Sequence, residues 1–122
     1  MSESDSPQTL SRAQRPDGRT ELRLHGRLDT SSVLRIEADF DAALADGGDA
    51  VVDLTEVELL SSHGIRLLLR AAKNHDRRGL RLVLVAPPVL VDTALKPSYL
   101  DRIIDVVPDA NEAHARLDNG DV

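Results

Sequence analysis

Apolar positions in this chain change their spacing several times, and each change marks an element. Thr20-Glu21-Leu22-Arg23-Leu24-His25 alternates, which places Leu22 and Leu24 on one face of a strand. Arg15-Pro16-Asp17-Gly18 is a turn signal, and Gln8 to Gln14 reads as a short edge strand before it. Together these predict an opening β-hairpin with one buried face. Gly26-Arg27-Leu28-Asp29 closes its second strand. From Thr30 to Ala45 the spacing becomes helical, with Val33, Ile36, Phe40 and Leu44 on one stripe. Asp29 or Thr30 caps that helix, and Gly47-Gly48 end it.

Ala50 to Leu54 is a nearly continuous apolar run, the pattern of a central strand covered on both faces. Thr55 to Leu60 reads as a connection. Ser62 to Arg78 is helical again, with Ile65, Leu68, Leu69 and Ala72 on one side and Arg66, Arg70, Lys73 and Arg77 mostly on the other. Gly79 stops it. Leu80 to Ala86 is the strongest strand signal, Pro87-Pro88 open a short helix to about Leu95, and Ile103 to Val107 is a last short strand. Asp109-Ala110-Asn111-Glu112 has the form of a capping box for a final helix bearing Ala113 and Leu117. The order β-β-α-β-α-β-α-β-α predicts a single α/β domain with a mainly parallel sheet of four to five strands and about four helices. It spans 8–118, between polar tails at 1–7 and 119–122 with nothing to bury.

Composition narrows the function classes. At 122 residues there is room for one ordinary domain, and 41% hydrophobic residues supply its core. Aromatics are only Phe40 and Tyr99, so that core is aliphatic and no stacking platform for single-stranded nucleic acid exists. A net charge of −6 also argues against a phosphate-backbone partner. The absence of cysteine excludes disulfides, thiolate nucleophiles and zinc–thiolate sites, and it makes a reducing cytoplasm the expected compartment. The first residues lack a secretory pattern, and no apolar run approaches the ~20 residues a membrane span needs, so direct membrane insertion is not expected. Arg as the dominant cation, with abundant Ala and Leu, fits a bacterial genome of high GC content.

Signatures of catalysis are missing. The chain has no phosphate-binding Gly-rich loop with its Lys, no dinucleotide fingerprint and no nucleophile elbow. His25, His63, His75 and His114 have no metal-ligand spacing, so neither a metal nor a cofactor is expected. His75 and His114 are placed on exposed helix faces, and His25 on the strand surface. Glu56 and Glu58 read as a solvated loop rather than an acid/base pair. Asp53 either serves a site at its strand end or caps adjacent amides. The chain therefore reads as a protein that binds another protein and is not an enzyme.

One segment stands out, Asp53 to Ile65: an apolar strand, a connection, then Ser61-Ser62-His63-Gly64-Ile65 leading into an amphipathic helix. One of the two hydroxyls is accounted for as the N-cap. The position also suits phosphorylation, since a phosphate there meets free N–H groups and the positive end of the helix dipole while adding about −1.5 to −2 charge.

With this segment the chain resembles the STAS domain family of anti-sigma factor antagonists. Gly26-Arg27-Leu28-Asp29 matches the family's Gly-x-Leu-Asp after the second strand. Asp53-Leu54 matches the end of its apolar strand, and Ser61-Ser62-His63-Gly64 its Asp-Ser-Ser/Thr-Gly loop. The resemblance runs from about Gln8 to Leu117 and implies partner switching. The unphosphorylated antagonist binds an anti-sigma factor with a kinase-like ATPase fold, that partner phosphorylates a loop serine, and a serine phosphatase reverses it. Carried over, Ser62 is the phosphoacceptor, and Asp29, Ser61, Ser62, His63, Gly64 and Ile65 face the partner.

Two departures matter. Ser61 stands where the family has Asp, and His63 where it has a hydroxyl residue. They leave Ser61 as a competing acceptor for the phosphate, and they leave room for a constitutive STAS adaptor in a signalling or lipid-transport complex, with both serines acting only as caps. A small-molecule site in a cleft at the strand ends is a further reading, for which the chain offers no phosphate cradle or aromatic lining. Oligomeric state stays open, since Gln8 to Gln14 is a pairable edge that Arg12 and Gln14 blunt.

Overall fold

The structure, a computed structural model, describes residues 10–119. Five strands lie in chain order across one sheet: β1 Leu10–Gln14, β2 Thr20–Leu28, β3 Ala50–Leu60, β4 Leu82–Val85 and β5 Asp105–Val107. The β1–β2 hairpin is antiparallel and every later pair is parallel. The sheet is thus mixed, and mainly parallel as the element order predicts. Helices α1 Thr30–Ala45, α2 Ser62–Arg77 and α4 Ala110–Asp118 form the crossovers and the C-terminal element. The predicted helix after Pro87 is a short α3, Pro88–Leu90, continued by a π-helical turn over Val91–Leu95, with a 3-10 turn at Leu100–Arg102. The 1–7 tail and 120–122 lie outside the described residues, while Asn119 closes α4 by donating its N–H to the Ala115 carbonyl.

Adjacent residues of the central strands serve opposite faces, as the pleat requires. Val52 and Leu84 join Leu22 and Leu24 beneath α1 and α2, whereas Val51, Val83, Val85 and Val107 meet Ala113 and Leu117 of α4. Burial on both faces explains why β3 and β4 read as unbroken apolar runs. Phe40 on α1, fully buried, is the bulkiest side chain of the larger cluster.

Three expectations need correction. Thr55 to Leu60 is not a connection, because β3 runs on to Leu60 and pairs with β2 as far as Leu28. Its register slips between Arg23 and His25 and again between Gly26 and Arg27, so β3 carries two bulges. Val57 rather than an even-numbered neighbour therefore faces the core after Leu54. Asp53 consequently lies mid-strand, where it accepts the Thr55 N–H at 2.9 Å and hydroxyl at 2.7 Å and pairs with Arg23 at 3.5 Å. That is the capping role.

His114 is not on a free face. Its ring lies between Glu21, at Nε2, and the Arg19 guanidinium, at 3.3 Å from Nδ1. A guanidinium only donates, so Nδ1 accepts and Nε2–H points at the carboxylate. With the Arg19–Asp118 ion pair at 2.7 Å, this ties α4 to the hairpin. His25 is half-buried, linking Ser11 at 3.0 Å to Glu56 at 2.9 Å across three strands.

His75 is buried, with Nε2–H donating to the Gly48 carbonyl at 3.2 Å. Burial, reinforced by the charge of Arg78, pushes its pKa below the ordinary 6.5. A base with a lowered folded pKa favours the folded state while neutral. Stability is full above pH ~6.5, and it is lost as the pH falls from there through the depressed value. Stability measured by urea unfolding between pH 7.5 and 5 is expected to fall less steeply for His75→Gln than for the parent chain. Identical slopes would mean His75 is not held neutral.

Candidate functional site

The parallel pairing of β2 and β3 builds this site. Leu28 is in register with Leu60, and each strand then turns directly into a helix. Asp29 and Ser61 occupy matching N-cap positions, so Thr30 and Ser62 are the first helical residues of α1 and α2. Asp29 accepts the Ser32 N–H at 3.0 Å, and Ser61 accepts the Gly64 N–H at 3.3 Å. Both satisfy an amide that the helix itself leaves unpaired. The Ser32 amide, helped by its hydroxyl and by Arg27 and Arg35, holds the Asp29 carboxyl below the usual carboxylate range.

Ser61 is half-buried and anchored, its N–H donating to the Leu28 carbonyl at 3.0 Å. Ser62 is exposed, and its hydroxyl makes no hydrogen bond among the described residues. The two hydroxyls therefore divide the tasks that the sequence left open: Ser61 is the cap and Ser62 is not needed as one. His63 is exposed, with Nδ1 at 3.1 Å from the Thr30 hydroxyl, which joins the first turns of the two helices. Gly64 is buried. A Cβ there would come within 2.6 Å of Leu60 Cδ1 and 3.5 Å of Leu28 Cβ, so the glycine lets α2 start hard against the strand ends. Ile65 is half-buried and packs on the core, so only part of it is available to another molecule.

Thr30 is the site residue that sequence reasoning missed, having been considered only as a cap. The equal offset between Leu28-Asp29-Thr30 and Leu60-Ser61-Ser62 was the signal, but it is visible only once the strands are in register. Leu34, 66% exposed and one turn beyond Thr30, and Leu59, 37% exposed at the end of β3, add apolar surface at this end of the molecule.

Residues 11–108 match the family model described as "Mlab, STAS domain". The chain belongs to the STAS domain family. No curated protein matches it. Among solved structures, this STAS domain is similar to an anti-sigma factor antagonist from Mycobacterium paratuberculosis, with a TM-score of 0.77 and 21% identity over 91% of this chain and 96% of that one. It is similar to the anti-sigma factor antagonist SpoIIAA in its unphosphorylated form, with a TM-score of 0.69 and 16% identity over 92% and 99%. The phosphorylated form of Bacillus SpoIIAA gives a TM-score of 0.67 and 19% identity over 88% and 98%. The STAS domain thus has the SpoIIAA-like fold.

Other features fall elsewhere. A groove of about 460 Å3 between the C-terminal halves of α1 and α2, lined by Leu44, Ala71, His75 and Arg78, lies at the opposite helix ends from Ser62. Among the described residues no three His, Asp or Glu side chains cluster to hold a metal ion. Within the same residues no helix is long and apolar enough to cross a membrane.

Proposed function

We propose that this STAS domain is an anti-sigma factor antagonist whose binding is switched by phosphorylation of Ser62. The observation that carries the reading is the division of labour in the turn before α2. Ser61 takes the capping bond, and Ser62 stands exposed beside it with its hydroxyl unengaged. The partner is an anti-sigma factor with serine-kinase activity, met in the cytoplasm, and a serine phosphatase resets the system. Asp29, Ser61, Ser62, His63 and the outer part of Ile65 form the contact, with buried Gly64 seating the turn beneath them and Leu34 and Leu59 supplying apolar area.

In the transfer step, Ser62 Oγ bonds to the γ-phosphorus of ATP. The bond to the bridging oxygen breaks to release ADP, and the hydroxyl proton passes to a base on the kinase. The added charge alters the contact face while the Ser61 cap keeps the helix start intact. Similarity to SpoIIAA, a protein with phosphorylated and unphosphorylated forms, supports this reading.

Two departures from the family loop favour a second reading, the constitutive adaptor of a signalling or lipid-transport complex. Ser61 replaces an acidic residue, and His63 is drawn toward Thr30. Titration with the kinase-like anti-sigma factor separates the two. Ser62→Ala is expected to bind like the parent, and Ser62→Asp to bind at least about tenfold more weakly, roughly 1.4 kcal/mol. Incubation with that partner and ATP should place phosphate on Ser62 in the mass spectrum. Equal affinities with no phosphate on Ser62 would overturn the switch in favour of the adaptor.

A further inference from the structure

We infer that Arg66 is the built-in counter-charge of phosphorylated Ser62, an assignment that rests on the proposed modification of that serine. Arg66 lies four residues after Ser62 on a helix of 16 residues, so the two side chains share one face. In an α-helix the Cα–Cβ bonds tilt toward the N-terminus, and a long side chain at i+4 therefore leans back over position i. That geometry puts Ser62 within the span that an Arg66 side chain can cover.

Arg66 is exposed and makes no hydrogen bond or ion pair among the described residues. Its neighbour one turn on is differently placed. Arg70 is held by Glu37 at 3.0 Å and by Asp41 at 3.0 Å, which fixes α2 against α1. Arg78, at the helix end, donates to the Leu44 and Gly47 carbonyls. Arg66 has no such structural employment among the described residues, and a neutral Ser62 hydroxyl is too weak an acceptor to hold a guanidinium. A phosphate at Ser62 changes that by offering three strong acceptor oxygens to a planar fork of donors. The neighbouring polar side chains are held elsewhere. Asp29 is engaged by the Ser32 amide, and the His63 ring is turned to Thr30.

The consequence is a switch with two parts. Before modification the face beside Ser62 offers a free cation to a partner. After modification that cation is folded back onto the phosphate, so the partner meets added negative charge and loses a positive contact together.

Installing phosphoserine at position 62 during translation tests the pair without kinase or partner. Thermal unfolding is compared for the full chain with Ser62 or phosphoserine, each carrying Arg66, Arg66→Gln or Arg66→Lys. Arg66→Gln is expected to lower the Tm of the phosphorylated chain by about 2–4 °C more than that of the unmodified chain. Arg66→Lys should recover part of that gap, and 1 M salt should shrink it. Equal losses in the two chains, or a gap indifferent to salt, would overturn the assignment. Because position 62 is phosphorylated by synthesis, this outcome says nothing against the kinase. Conversely, failure of the kinase to modify Ser62 leaves the pair measurable.

Discussion

Phe40→Ala is expected to destabilise the domain by about 3–5 kcal/mol, measured as the shift in urea midpoint at constant m-value. Phe40 is fully exposed to the core from α1 and has no access to solvent. It is also the sole buried aromatic in a cluster otherwise built of Leu, Val, Ile and Ala. Aliphatic neighbours packed around a planar ring cannot close the space it leaves, so the loss combines a transfer term with a cavity. A loss of that size takes a large share of the 5–15 kcal/mol that holds a typical domain together. Phe40→Leu, which keeps most of the volume, should lose clearly less. A cost under about 1 kcal/mol for the alanine variant would show that α1 does not depend on this ring.

Gly47→Ala is the second substitution with a large expected cost, about 1–3 kcal/mol. A Cβ at Gly47 would come within 2.1 Å of Thr20 Oγ1 and 3.3 Å of Thr20 Cβ. Thr20 cannot readily yield, since it is fully buried, β-branched and held at the start of β2 by its N–H on the Asp49 carbonyl at 3.1 Å. Its hydroxyl also has no hydrogen-bond partner among the described residues, so the close approach of the glycine is contact rather than bonding. Thermal unfolding should show a Tm well below the parent for Gly47→Ala, with part of the loss recovered in the double variant with Thr20→Ala. An unchanged Tm would mean that the 46–49 turn shifts freely away from the strand. Gly47 lies at the end of the sheet opposite Ser62, so partner binding by the folded fraction should be unaffected.

How much of this was legible in the sequence depends on the period of each segment. The stripes Val33-Ile36-Phe40-Leu44 and Ile65-Leu68-Leu69-Ala72 are long enough for 3.6-residue spacing to be unmistakable, and α1 and α2 lie where they predict. The buried face of α2, however, centres on Leu67, Leu68 and Ala71, with Ile65, Leu69 and Ala72 only partly buried. Half of the capping box at Asp109 is present: Asp109 accepts the Glu112 N–H at 2.8 Å, while the Glu112 carboxylate turns to Arg116 at 3.8 Å. The second half of β3 was hidden because its core positions run Val52, Leu54, Val57, Leu60. Two bulges stretch the step from two residues to three, and a strand with that spacing resembles a loop. His75 and His114 were misplaced for another reason. A polar residue on a helix acquires a buried partner only through tertiary contacts, here the Gly48 carbonyl and the Glu21–Arg19 pair. The motif shows two adjacent hydroxyls at the head of α2, but which one caps the helix depends on where the strand ends, at Leu60, which leaves Ser61 as the cap.

The tight seat of Gly64 against Leu60 and Leu28 has a consequence for how such a switch is sensed. Under the proposed reading, a helix start seated this close to two strand ends, with Ser61 capping it, favours a modification that leaves the backbone in place and rewrites its outer surface. A partner then finds the same backbone shape in both states but a different charge on it, so its arrival rate becomes salt-dependent as well. The lost contact is felt as residence time, with the modified form let go sooner.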